Sequence, residues 1–296
     1  MFLIVGPFFA IHYYYMKKIN SLILLSYFLL IFSCEKTRTH LAQNNSVKEN
    51  ILMSGIKGGE ASLWNEFPFA ATLHLKGGAY RCGAALIHPY WVITAAHCIY
   101  GYYKNDLYVS VGGIKINGTD AQSKRLVKMI IHPHFNSDLL HNDIALLRLS
   151  EPITNIEPVT INTISLPLSK SPLVNLIGWG FFNTRAEGFS PLLNKLEMPM
   201  ASQEECRMNP AYKINGWEVP QPTICTHTTF EKTGCLGDSG SPLIQKKYGK
   251  YFLLGIASSG TGCRNDVKQA SNYEYFTNVY SFNRWIRDEV LKFESN

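Results

Sequence analysis

Short apolar runs rich in aromatic and β-branched residues recur along the chain. Leu63–Leu75 and Gly83–Ile93 carry the first, interrupted by Gly77-Gly78 and His88-Pro89. Leu107–Val111, Val127–Ile131, Ile144–Leu149, Leu173–Ile177, Leu192–Met198, Leu243–Gln245, Tyr251–Ala257 and Tyr275–Val279 continue the series. Runs of this length between turn residues predict β-strands. No helical pattern alternates with them, which argues against a parallel α/β sheet. Only Tyr280–Phe293 has helical spacing, placing Trp285, Ile286, Val290 and Phe293 near one face. The expectation is an all-β barrel or sandwich in two halves, followed by one helix. Gly178-Trp179-Gly180 falls where a crossover between halves would sit.

Composition adds an address. The 296 residues are 46% hydrophobic and 17% charged, enough to bury a sizeable core and unlike a disordered chain. The net charge of +6 is mild and scattered, which argues against a nucleic-acid partner. Neither G-x-x-x-x-G-K-[ST] nor G-x-G-x-x-G occurs, so no nucleotide cofactor is expected. Residues 1–33 are nearly free of charge, and Met16-Lys17-Lys18 followed by Ser21–Ser33 has the layout of an export signal. Its thirteen uncharged residues fall short of the roughly 20 that a membrane span needs. The working start is then Met1 or Met16.

Seven cysteines fit an exported protein: six lie in the body, and Cys34 closes the leader. Ile31-Phe32-Ser33-Cys34 loosely resembles a bacterial lipoprotein box, with Cys34 the lipidated residue. A leader cut near Ser33 is the competing arrangement. Residues 34–55 are accordingly a polar tether or a propeptide. The expected location is extracytoplasmic, either secreted or held on a membrane through Cys34.

Three local patterns carry chemistry together. Thr94-Ala95-Ala96-His97-Cys98 ends an apolar strand in a histidine, Asn142-Asp143-Ile144 starts another with an acid, and Gly237-Asp238-Ser239-Gly240 sets a serine in a glycine-rich turn. A histidine can take the proton of a serine nucleophile, and a buried carboxylate can fix its tautomer. Each motif alone has a structural explanation as a core histidine or a turn residue. Chain order separates the serine-hydrolase classes: no histidine follows Ser239, and no aspartate precedes His97. The order His97, Asp143, Ser239 remains.

With Ile56-Lys57-Gly58-Gly59, TAAHC at 94–98, NDIALL at 142–147, GWG at 178–180 and GDSG at 237–240, the chain resembles a trypsin/chymotrypsin-fold serine protease over residues 56 to about 293. The resemblance implies two six-stranded antiparallel β-barrels, about 56–175 and 176–296, with the site between them and a C-terminal α-helix. It implies His97 as general base, Asp143 as its orienting acid, Ser239 as nucleophile, and Gly237 and Ser239 N–H as oxyanion donors. Ser258 would support Asp143, and Ser258–Gly260 would pair with substrate backbone. The implied disulfides are Cys82–Cys98, Cys206–Cys225 and Cys235–Cys263. Polypeptide substrates and no cofactor are implied. No metal is expected, since only Asp120 stands where relatives carry paired calcium-binding acids.

Two features depart from the family pattern. Gly55, rather than a basic residue, precedes Ile56, whose freed amine would pair with Asp238. The expectation is a zymogen opened at Gly55–Ile56 by a protease that is not trypsin-like. Thr233 stands where a trypsin-type enzyme carries its pocket aspartate, and Ser259 replaces a usual tryptophan beside Gly260. A preference for large apolar or aromatic side chains is expected. Glu274 either points into that pocket, restoring some preference for basic residues, or is a solvated loop charge. The alternative from another class is a catalytically silent homologue that uses the fold for binding.

Overall fold

The segment Leu107–Val111 is apolar at alternate positions and opens on both flanks into polar turns, and it forms a strand with those bounds. The computed structural model describes residues 56–163, 172–181, 188–210, 218–229, 231–260 and 273–293, all within the unit Met53–Asn296. The expected leader, the tether, Cys34 and Cys263 lie outside the described residues. Seven strands come first: β1 (Glu60–Ala61), β2 (Ala70–Leu75), β3 (Tyr80–His88), β4 (Trp91–Thr94), β5 (Leu107–Val111), β6 (Gln122–Ile131) and β7 (Ala145–Leu149). Of these, β2-β3-β4-β7-β6-β5 close into a six-stranded barrel, every pair antiparallel.

The second half contributes β8 (Thr160–Ile161), β9 (Leu173–Gly178), β10 (Asn194–Pro199), β11 (Thr223–His227), β12 (Pro242–Lys247), β13 (Lys250–Gly260) and β14 (Tyr273–Asn278). Their path runs β10-β9-β12-β13-β14-β11. A bridge between Met200 and Thr226 brings the two ends of that path together, so these six strands also wrap on themselves. The fold is therefore all-β with two barrels, as expected.

The chain ends are exchanged between barrels. β1 pairs with β10, and Ile56 is fully buried in the core of the second barrel with Val174, Leu176, Leu243 and Phe276. The helix Asn283–Leu291, preceded by a 3-10 turn over Val279–Phe282, lies against the first barrel. There Val279, Phe282 and Ile286 join Trp91, Leu146 and Leu147 in one core, and Trp285, Val290 and Phe293 pack on its margin.

Several expectations need correction. The run Leu63–Leu75 becomes a strand only from Ala70, because Leu63 and Trp64 lie exposed in a turn. β6 starts at Gln122 rather than Val127; its polar first half has one face in solvent and so lacks an apolar signature. β9 begins at Leu173, so a division at 175/176 would cut it. Gly178-Trp179-Gly180 ends β9 instead of marking the crossover, which runs between β7 and β9. β1, β8, β11 and a short helix at Gln203–Arg207 were not anticipated.

Replacing Ile286 by alanine empties part of the shared core. The expected loss is about 2–5 kcal/mol, seen as a lower guanidinium midpoint; an unchanged midpoint would mean that the helix does not close the first barrel.

Candidate active site

β4 ends in Thr94 and passes through Ala95 and Ala96, both fully buried, into a 3-10 turn over Ala96–Cys98. Only small residues fit at that close-packed point, and the turn swings His97 to the barrel edge. The imidazole Nδ1 lies 2.7 Å from Asp143 Oδ2, and the His97 backbone N–H donates to Asp143 Oδ1 at 2.9 Å. Both histidine and carboxylate are thereby fixed in plane and rotation.

Asn142 adopts φ +55°, a left-handed conformation that asparagine tolerates better than most residues. It turns the chain so that Asp143 enters the interior with no exposed surface. A charge buried so completely needs several hydrogen bonds. Asp143 Oδ2 accepts a further one from Ser258 Oγ at 2.6 Å, and its backbone oxygen accepts one from Thr277 Oγ1 at 2.8 Å. Ser258 and Thr277 belong to β13 and β14, so the second barrel completes the surroundings of an acid carried by the first.

The serine turn comes from the second barrel. Gly237 and Gly240 have φ of +94° and +77°, which side chains resist. Space is also absent: a Cβ on Gly240 would lie 2.3 Å from both Gly83 O and Thr94 Oγ1. Gly83 N–H donates to Ser239 O at 2.9 Å, and the Cys82–Cys98 disulfide lies beside the same contact. That disulfide joins residues 16 apart and is worth about 3 kcal/mol in the chain-entropy account. Ser239 is thereby held on β3, the strand whose Cys82 is bonded to Cys98, the neighbour of His97 in sequence. Among the described residues no hydrogen bond joins Ser239 Oγ to His97. Such contacts often tighten only with substrate bound.

Asp238 points inward, away from the serine. Its carboxylate accepts from Gly180 N–H and Cys235 N–H, both at 2.9 Å. Burial pushes its pKa up to about 7, against the opposing effect of those two donors. A Cβ on Gly178 or Gly180 would come within 2.3 Å of this carboxylate, which accounts for the two glycines of GWG.

A cavity of about 260 Å³ opens beside Ser239, lined by Cys235, Leu236, Ala257, Ser258, Ser259, Gly260 and Glu274. Glu274 is buried, so it is not a solvated loop charge. It pairs with Gly260 across β13 and β14, and its carboxylate lies where a Cβ on Gly260 or Gly234 would be. Thr233 hydrogen-bonds to it, yet burial and the nearby Asp238 charge push its pKa up to about 8. Glu274 Oε2 is buried without a partner.

The remaining expected groups are also located. Cys82–Cys98 and Cys206–Cys225 are formed, and Cys235 is disulfide-bonded; its expected partner, Cys263, lies outside the described residues. Asp120 turns back to accept from Ile114 N–H and Lys115 N–H within its own loop. Cys82, His97 and Cys98 cluster closely, but their sulfurs are joined and offer no thiolate to a metal. Among the described residues no helix is long and apolar enough to cross a membrane.

The trypsin family profile matches residues 56–286, which contain both barrels and every group above. The chain is a member of the trypsin family of serine proteases. It is 31% identical to brachyurin of Leptuca pugilator over 238 residues, covering 79% of this chain and 98% of that protein. It is likewise 31% identical to trypsin of Sus scrofa over 241 residues, 79% of this chain and 95% of that one. The suppressor of tumorigenicity 14 protein homolog of Bos taurus is 29% identical over 250 residues, 80% of this chain, but the chain spans only 28% of its length. Two neighbours of Gly237, Tyr80 and Phe189, carry no motif and were not anticipated from the sequence.

The raised pKa of Glu274 has a consequence for stability. The unfolded chain loses this proton near 4.5 and the folded chain near 8, so the folded form binds more protons in between. Stability then falls as pH rises through that window. The variant Glu274→Gln should gain on the wild type progressively from about pH 5 to 8 in urea midpoints. Parallel profiles would contradict the buried carboxyl.

Proposed function

We propose that the chain is an exported serine endopeptidase, made as a zymogen, in which His97, Asp143 and Ser239 carry the reaction. The observation that carries this reading is the His97–Asp143 pair, locked by two hydrogen bonds and standing beside a serine turn docked on Gly83. Ser239 Oγ attacks the carbonyl carbon of the scissile bond while its proton passes to His97 Nε2. Gly237 N–H and Ser239 N–H receive the oxyanion, an arrangement worth roughly 10²–10³ in kcat per donor elsewhere. Collapse expels the amine, which takes the proton from His97, and water releases the acyl group by the reverse sequence. Asp143 orients the imidazole, and Ser258 supports Asp143. Three cystines favour an oxidising compartment outside the cytoplasm.

Activation is proposed at Gly55–Ile56, by a partner protease that accepts glycine. Ile56 has φ +55°, an outlier for a β-branched residue, so the intact chain holds strain at this point. The segment that follows is held by the Lys57–Thr233 bridge, by β1, and by Lys195 paired with Glu60 and Glu66. Asp238 has no cationic partner among the described residues, and a freed Ile56 amine would supply one. N-terminal sequencing of active enzyme should begin at Ile56; full activity with this bond intact refutes the zymogen.

The pocket is proposed to accept large side chains of two kinds. With Glu274 protonated it is a neutral slot between Gly234 and Gly260, suited to apolar and aromatic groups. With Glu274 ionised, the same carboxylate takes a lysine or arginine chain, whose positive charge itself draws the proton away. A peptide-library profile should be mainly apolar and aromatic near pH 6, and cleavage after Lys and Arg should rise through about pH 8. Glu274→Gln should lose the basic component at every pH. The enzyme reading itself is tested by a fluorophosphonate probe: labelling is expected at Ser239 and absent in Ser239→Ala.

A further inference from the structure

We propose that Tyr80 is a positioning residue of the oxyanion turn, its hydroxyl locking the backbone on which the Gly237 N–H is carried. The inference rests on the assignment of Gly237 and Ser239 as oxyanion donors. Gly237 sits at φ +94° and has no side chain to restrain it, so both peptide groups that flank it must be fixed from outside. A trans peptide is planar, and holding its oxygen also sets the direction of its N–H.

The first of these groups is the Leu236–Gly237 peptide, which carries the donor N–H. Phe181 N–H binds its oxygen at 2.9 Å and so turns the Gly237 N–H the opposite way. The second is the Gly237–Asp238 peptide, whose oxygen accepts from Tyr80 Oη at 2.8 Å. Tyr80 starts β3 in the first barrel, and the same strand binds the turn again through Gly83 N–H and Ser239 O. The two bonds from β3 bracket Asp238, so rotation about the Gly237 backbone breaks at least one of them.

The ring of Tyr80 completes the brace. It packs edge-on against Phe189 with centroids 5.0 Å apart, and Phe189 packs on Phe181 at 4.6 Å. A Cβ on Gly237 would lie 2.5 Å from the Phe189 ring, so the aromatic cluster fills the space into which the glycine would swing. The hydroxyl supplies direction and the rings supply stiffness. In this reading Tyr80 acts through Gly237.

Tyr80→Phe keeps the rings and removes the hydrogen bond. On a peptide p-nitroanilide, kcat should fall about 10- to 100-fold with KM within twofold, since misplacing a donor by 1 Å is that costly. A peptide aldehyde, which forms a tetrahedral adduct with an oxyanion, should lose affinity by a similar factor. The corresponding peptide alcohol, which fills the same subsites without an oxyanion, should bind as before. Unchanged kcat in the folded variant overturns the inference. Equal weakening of aldehyde and alcohol also overturns it, since that is the mark of general loosening. A wild-type chain left unlabelled at Ser239 sinks the endopeptidase reading and this inference together; a labelled wild type with an indifferent Tyr80→Phe sinks the inference alone.

Discussion

A carboxylate without solvent is the constraint around which the two barrels meet. Asp143 is carried by the first barrel, yet Ser258, which binds its carboxylate, and Thr277, which binds its backbone oxygen, come from the second. Neither barrel alone can bury this acid, because an ionised carboxylate stripped of water and of partners is strongly unfavourable. Two of the three hydrogen bonds to the Asp143 carboxylate come from His97 and set the plane of that ring. Fold and site therefore share this contact.

Asp238 makes a second and different arrangement of a buried acid. It is held by two backbone N–H groups and by two glycines that make room for it, with no cation among the described residues. Burial raises its pKa to about 7, against the opposing effect of those two donors. The Asp143 carboxylate is held by two side chains and a backbone N–H, the Asp238 carboxylate by backbone N–H groups alone. The difference between them is one of environment, not of residue type.

The candidate site residues were easier to pick out in the sequence than the strand bounds. His97, Asp143 and Ser239 sit in short motifs whose order along the chain excludes competing classes, and those motifs also forecast two barrels. β5 could be bounded from its apolar alternation, whereas the outer half of β6 could not, because its side chains are polar on a half-solvated strand. β1 and β8 have two residues each, too few for any period. The helix Gln203–Arg207 opens on a capping box of Ser202 and Glu205, a signal the sequence reading passed over, and so short a helix leaves no apolar stripe. Glu274 was ambiguous because its surroundings come from Gly234 and Gly260, far apart in sequence. Tyr80 was invisible for a similar reason: its partner, Gly237, is 157 residues away.

The exchange of chain ends between barrels has a consequence for the order of events during synthesis. The strands of the first barrel are complete at Leu149, but its core is closed by Val279, Phe282 and Ile286. While the ribosome is still making the intervening segment, that barrel stands with an open apolar side, the kind of surface that chaperones recognise. Translation must pass Ile286 before the surface is covered. A nascent chain that already carries His97 and Asp143 thus keeps this core open until after its serine turn has been made.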